Sequence, residues 1–319
     1  MNKLPRTVGL ISNPNSGHNR DQFADLRKMI DDSPVIHKIT QSATEVEAAL
    51  RSLAAEKVSI LGINGGDGTI SAILGQVLDG RFFDAPPQVV VLPGGTANMN
   101  AGDVGMNGKL SSAVKRFCAH ADQADWSKAD ALVRPLLRVT TEDGAIHYGM
   151  FLGAGAVISG TAYAHEKIHA KGLRDDFSLA LGTVRTVLGV VRGDPRFAQH
   201  QNITVRLDHG ETHTYETLIL AISSLHRLAF GMRPFWGDEE GGLRLTLMRR
   251  GCSRFARTFF QIARGKPGRN AVPEQGYISH NANVITLAME GEINLDGEIV
   301  SVAGHARIEA TPELTFLRF

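Results

Sequence analysis

The run Gly65-Gly66-Asp67-Gly68-Thr69 lies between an apolar stretch, Val58 to Ile63, and a segment whose apolar residues Ile70, Ile73, Leu74, Val77 and Leu78 repeat at helical spacing. A strand that passes through glycines into a helix N-terminus turns several backbone N–H groups toward one point, which suits a phosphate. The glycines are expected to supply backbone angles that residues with a Cβ avoid. Asp67 would then stand beside phosphates, and a carboxylate there is compatible with the anion through an intervening cation, Mg²⁺ being the usual one.

Two more strand ends carry the same residue types. VVVLPGGT runs from an apolar strand into Pro93, Gly94, Gly95 and Thr96, and VGLISNPNSG delivers Asn13, Pro14, Ser16 and Gly17 ahead of a helix bearing Phe23, Leu26 and Ile30. Thr40 ends a fourth apolar stretch and is expected at the same sheet edge. In open α/β sheets ligands bind beyond the carboxyl ends of the strands, so the loops describe one site.

The elements that must position these loops alternate through residues 7–120: strands near 7–12, 35–40, 58–63 and 88–92, helices near 20–31, 43–56, 69–79 and 108–120. That alternation predicts a parallel sheet with right-handed crossovers. Thr44 and Glu47 have capping-box spacing at the start of the second helix. From about residue 126 the pattern changes. ALVRPLLRVT, a turn at 142–145 and IHYGMFLGAG read as a hairpin. Further short strands are expected near 202–208, 214–223, 243–249 and 277–302, with helices at 175–192 and 252–264. The fold class is therefore α/β in two domains: an N-terminal parallel nucleotide-binding domain over 1–125, and a largely antiparallel β domain with inserted helices over 126–302.

The chain has 319 residues, enough for two domains with their own cores. Its formal net charge of +1 argues against a chain-wide polyanion binder, so no nucleic-acid partner is expected. Cys118 and Cys252 are far apart and lack metal-ligand spacing, which excludes a disulfide framework. MNKLPRTVGLIS leads directly into a strand with no signal-peptide core, so a cytoplasmic location is expected. LALGTVRTVLGVV is too short to span a bilayer, which leaves only peripheral membrane contact.

NPNSG, GGDGT and LPGGTAN, in this order, resemble the diacylglycerol kinase catalytic family, which includes bacterial lipid kinases and sphingosine kinases. GMRPFWGDEEGGLRL at 231–245 and NLDGE at 294–298 extend the resemblance into the second half. It implies an ATP-dependent lipid kinase of phospholipid metabolism with Mg²⁺ and a diacylglycerol-like substrate, and a final strand returning residues 303–319 to the first domain. On that reading Gly65, Gly66, Gly68 and Thr69 cradle phosphates, with Gly94, Gly95, Thr96 and Asn98 in the neighbouring loop. Asn13, Pro14, Ser16 and Gly17 close the first loop over the nucleotide, with Thr40 within reach. Asp296 and Glu298 are the candidates to orient the acceptor hydroxyl and take its proton. Asp-Gly between apolar runs is equally a hairpin signal, and a catalytic carboxylate can sit on such a turn.

The family commonly holds a structural Mg²⁺ with an acidic residue just before a Gly-Leu pair. Here Gly241 stands at that place, leaving Asp238 or Glu240, together with Leu243, as the candidate metal residues. The basic stretch 249–269, interleaved with Phe255, Phe259 and Phe260, suits either anionic lipid or an ordinary solvated helix. A homo-oligomer is compatible with all of this. Competing readings are a zinc protease on His165, Glu166, His169 and Asp175, an NAD kinase sharing GGDGT, and a non-catalytic nucleotide sensor.

Overall fold

A computed structural model describes residues 6–80, 82–158, 189, 194 and 200–319. The chain divides into two compact units, Met1–Arg134 with Glu313–Phe319, and Pro135–Pro312. The zinc-protease segment 165–175 lies outside the described residues, as does the helix expected at 175–192 apart from Gly189.

In the first unit β1 (Val8–Ser12), β2 (Ile36–Ile39), β3 (Ile60–Gly65) and β4 (Gln88–Pro93) are parallel. Helices α1 (Phe23–Asp31), α2 (Ala43–Ala55), α3 (Asp67–Asp79), α4 (Met99–Val104) and α5 (Leu110–Gln123) connect or follow them. Strands buried on both faces read as continuous apolar runs, and Leu10, Ile11, Ile60, Leu61 and Val89 to Leu92 are fully buried. Capping of α2 falls two residues earlier than the Thr44–Glu47 spacing suggests: Ser42 Oγ accepts from Glu45 N at 3.3 Å, and Glu45 Oε2 accepts from Gln41 N.

The sheet order is β2-β1-β3-β4-β15-β5, where β15 is Leu314–Arg318 and β5 is Asp130–Arg134. Strands proceed from β1 outward to β2, then from β3 outward on the other side. This reversal leaves a crevice beyond the carboxyl ends of β1 and β3, the strands that carry NPNSG and GGDGT. Residues 131–134 do not join the expected hairpin; β5 pairs antiparallel with β15 at the sheet edge.

The second unit contains a nine-stranded sheet, ordered β12-β11-β10-β8-β13-β14-β6-β7. These strands are β6 (Leu137–Thr141), β7 (Ile146–Gly149), β8 (Phe151–Gly155), β10 (Thr212–Ser223), β11 (Leu243–Arg249), β12 (Tyr277–Ala282), β13 (Val284–Leu295) and β14 (Glu298–Ala310). β9 (Gln201–Leu207) pairs with β10 and β13. All its pairings are antiparallel, and one face of alternating residues, among them Val139, Leu152, Leu220, Leu245, Ile285 and Ile308, makes the core. Helix α6 (Phe255–Ala263) lies within the stretch expected to be helical. The α/β class, mostly parallel in the first unit and antiparallel in the second, is as the sequence predicts. No described helix is long and apolar enough to cross a membrane.

Candidate active site

The three loops of the first unit interlock. Asn13 N donates to Asn64 O at 2.9 Å, and Asn13 Nδ2 to Thr69 Oγ1 at 3.0 Å, so the first loop is bonded to both ends of GGDGT. Ser16 Oγ accepts from Gly66 N at 3.2 Å, and His18 N donates to Gly94 O at 3.0 Å. Within LPGGTAN, Gly95 N donates to Asn98 Oδ1 and Asn98 Nδ2 returns a bond to Gly95 O, both at 2.8 Å. Asn98 has φ 48°, a left-handed value that Asn adopts more readily than most residues, and it starts α4. Pro14 sits half-buried in the first loop. Thr40 is buried and donates its N–H to Ser12 O at 3.0 Å, which places it at the same edge.

The glycines serve a purpose other than the one expected of them. None of Gly17, Gly65, Gly66, Gly94 or Gly95 has positive φ; Gly66 is extended at φ −84°, ψ 173°. What they permit is close approach. A Cβ on Gly95 would lie 2.6 Å from Gly66 Cα, one on Gly65 2.7 Å from Thr69 Cγ2, and one on Gly17 would strike Thr96. Gly95→Ala should therefore separate the second and third loops. The expected cost is about 1–3 kcal/mol of stability, measured by thermal denaturation.

Helix α3 begins at Asp67, and the first helical bond outside its body is Ile70 N to Gly66 O. The N–H groups of Asp67, Gly68 and Thr69 have no intrahelical acceptor, because a helix start leaves its first turn of donors unpaired. They project at the carboxyl end of β3, beside the β1 loop, as an anion site requires.

The Asp67 side chain is committed elsewhere. Its Oδ1 accepts from Asn100 N at 2.8 Å and its Oδ2 from Met99 N at 3.1 Å, so it caps α4. The residue is 9 % exposed. Burial pushes its carboxyl above the usual range, while the Asn100 and Met99 N–H groups oppose that shift. Both oxygens already serve backbone donors, and among the described residues no three His, Cys, Asp or Glu side chains converge on a metal position. Among the described residues, the chain's own donors therefore do not assemble a Mg²⁺ cage.

Three buried asparagines escaped the sequence reading. Asn19 Nδ2 donates to Asn13 O at 2.7 Å, while Asn19 Oδ1, Asn64 Oδ1 and both polar side-chain atoms of Asn100 have no hydrogen-bond partner among the described residues. The available signal was Asn64 itself, a polar residue closing an otherwise apolar strand.

In the second unit, Asp296 and Gly297 form the two-residue turn joining β13 to β14, with φ 48° and 96°. Positive φ at both positions is what a type I′ hairpin requires. Asp296 is buried: Oδ2 accepts from Met150 N at 2.7 Å, Oδ1 from Phe151 N at 3.0 Å, and its own N–H donates to Phe151 O. Glu298, two residues on, is exposed. The hairpin thus holds one carboxylate fixed and leaves the other facing solvent.

The 238–243 segment does not gather a ligand set. Asp238 and Glu240 are exposed, and Leu243 is buried in the core at the start of β11. The acid engaged there is Glu239, which accepts from Asn281 N at 3.0 Å and contacts His280 Nδ1. Gly241 stands where an acid was expected because a Cβ there would lie 2.5 Å from Ala282 N.

Residues 7–129 match the model of the diacylglycerol kinase catalytic domain. No curated protein matches the chain in sequence. Among solved structures, a diacylglycerol kinase from Bacillus anthracis str. Sterne is similar at 16 % identity and TM-score 0.59, covering 98 % of this chain and 97 % of that one. Two structures of a provisionally named diacylglycerol kinase from the same organism match over the same shares, at 18 % and 17 % identity and TM-score 0.64. At such identities the likeness is one of fold. The resemblance carried by NPNSG, GGDGT and LPGGTAN is borne out, and residues 7–129 have the sequence pattern of the diacylglycerol kinase catalytic domain.

Proposed function

We propose that the chain is an ATP-dependent lipid kinase that transfers the γ-phosphate to a lipid hydroxyl, with diacylglycerol as the first candidate. The observation that carries the reading is the convergence of three interlocked loops on the unpaired N–H groups at the start of α3, within a region matching the diacylglycerol kinase catalytic domain. Phosphoryl transfer is chiefly positioning and charge stabilisation, and this edge supplies rigid donors for a phosphate. Thr69 and Thr96 add hydroxyls, and Asn13, bonded to Thr69, fixes the first loop. When bound, Mg²⁺ would neutralise charge on the nucleotide phosphates, with phosphate and water oxygens as most of its ligands.

For the acceptor hydroxyl, Asp296 and Glu298 have separate proposed roles. Asp296, held by two backbone N–H groups, sets the position of the turn. Glu298 accepts the proton from the attacking oxygen. A carboxylate is a weak base at neutral pH, so its effect is to orient the hydroxyl and take the proton late.

The test is transfer of labelled γ-phosphate from ATP with Mg²⁺ to diacylglycerol, monoacylglycerol, sphingosine, ceramide and NAD. Label in a lipid, with diacylglycerol the expected acceptor, supports the reading. Label in NAD alone assigns an NAD kinase, and ATP binding without transfer to any of them assigns a nucleotide sensor.

A further inference from the structure

Charge in this chain is unevenly placed. The net value is +1, yet residues 241–273 contain eight Arg or Lys and no Asp or Glu. Arg250 is neutralised by Glu216 at 2.7 Å, and Arg244 is hydrogen-bonded to His226. Arg254, Arg257, Arg264, Lys266 and Arg269 are all exposed and have no acidic partner among the described residues.

Helix α6 sorts its residues by face. Thr258, Ile262 and Ala263 are buried, and Phe255 and Phe259 pack against the cluster around Leu218, Met248 and Tyr277. Arg257, Phe260 and Arg264, at positions i, i+3 and i+7, share the outward face. Phe260 is 37 % exposed there, an apolar ring set between two cations.

A second exposed ring belongs to the same surface. Arg233 N donates to Ala263 O at 2.9 Å, and Gly265 approaches Arg233 closely enough that a Cβ would lie 3.1 Å from its side chain. The turn Leu228–Met232 is thereby fastened to the C-terminal end of α6. At its tip Phe230 is 49 % exposed and has φ 58°. A left-handed phenylalanine is an uncommon backbone state, and here its ring is not spent on the core. At the other end of the helix an open recess is lined by Leu218, Cys252 and Phe255 beside Arg254 and Arg257.

We infer that the outer face of α6 and the 228–233 turn form a docking surface for a bilayer containing anionic phospholipid. Charge complementarity names the occupant: unpaired cations meet lipid phosphates, while Phe230 and Phe260 enter the boundary between headgroups and acyl chains. A nucleic-acid duplex would use the cations and leave both rings in water. The inference gives the proposed lipid kinase a way to reach a bilayer-bound substrate, and it is tested without ATP.

The experiment is co-sedimentation of the full chain with vesicles of phosphatidylcholine mixed with phosphatidylglycerol, beside vesicles of phosphatidylcholine alone. Wild type should bind only the anionic vesicles and be released by salt. Arg257→Ala/Arg264→Ala/Lys266→Ala should weaken binding about 100-fold, at roughly fivefold per cation, and Phe230→Ser/Phe260→Ser by at least about tenfold. All five side chains are exposed, so unchanged thermal unfolding serves as the folding control. The inference is overturned by absent wild-type binding or by equal binding of the variants. It is also overturned by preference for duplex DNA over anionic vesicles, or by a dimer in light scattering that the two Phe substitutions dissociate. Transfer of labelled phosphate to the dispersed lipid panel, a short-chain diacylglycerol included, run in parallel, separates the two readings: vesicle binding without transfer to any lipid removes the kinase, and transfer without vesicle binding removes the docking surface.

Discussion

Asp67→Asn is expected to lower both stability and turnover, and to do so through α4. An amide offers one acceptor where the carboxylate offers two, so its NH₂ group would face either Met99 N–H or Asn100 N–H inside a buried site. One unsatisfied buried donor costs about 1–3 kcal/mol. Releasing α4 also loosens LPGGTAN, and a displacement of the order of an ångström at a phosphate contact can cost about 100-fold in rate. Loss of a Mg²⁺ ligand predicts something different: a shifted Mg²⁺ dependence with unchanged thermal stability. A titration of activity against Mg²⁺, read beside the melting temperature, distinguishes the two. Lower melting temperature without rescue by added Mg²⁺ is the expected result.

The same residue has a pH signature with a definite sign. Burial raises the Asp67 carboxyl above its ordinary 3.8 in the folded chain, against the opposing Asn100 and Met99 N–H bonds. Between those two values the folded state keeps a proton that the unfolded chain has lost. The contribution of Asp67 is therefore most favourable below the unfolded value, declines as pH rises through the interval, and is constant above the folded value. Urea denaturation from acid to neutral pH should show a wild-type stability that falls relative to Asp67→Asn as pH rises. A difference that stays flat would reject the raised carboxyl.

The second large effect concerns the β13–β14 turn. Glu298→Gln should lower kcat by about 10²–10⁴-fold and leave stability within about 0.5 kcal/mol, since the side chain is exposed. Asp296→Asn should reduce both. Asn-Gly suits a type I′ turn as well as Asp-Gly does, so the backbone at φ 48° and 96° is kept. What is lost is one acceptor for Met150 N or Phe151 N, at about 1–3 kcal/mol. Steady-state kinetics beside denaturation curves separate the roles. Wild-type kcat in Glu298→Gln with a large loss in Asp296→Asn would move the proton acceptor to Asp296, and wild-type turnover in the double variant would remove the carboxylates from the chemistry.

Much of this arrangement is legible residue by residue. Fully buried parallel strands announce themselves as apolar runs, which is why β1, β3 and β4 and the glycine loops after them can be read directly. Strand β5 was misplaced because alternation identifies a strand without naming the sheet it joins; only pairing with β15 settles that. Helix α4 was missed because six residues are too few for a periodic signal, and Asp67, thirty-two positions upstream, provides the cap that starts it. The glycines were identified for the wrong reason, since a sequence does not distinguish positive φ from close approach.

The sequence alone determined the alternation of elements, the change from parallel to antiparallel architecture, and the identity of the loops that carry Gly, Asn, Ser and Thr. These follow from local periodicity and turn chemistry, which act over a few residues. Tertiary structure decided the division of labour among the carboxylates. Asp67 caps α4 and Asp296 holds the Met150–Phe151 backbone, while Glu298 faces solvent. Those assignments depend on which backbone donors are brought within 3.1 Å of each oxygen, and only long-range packing specifies that.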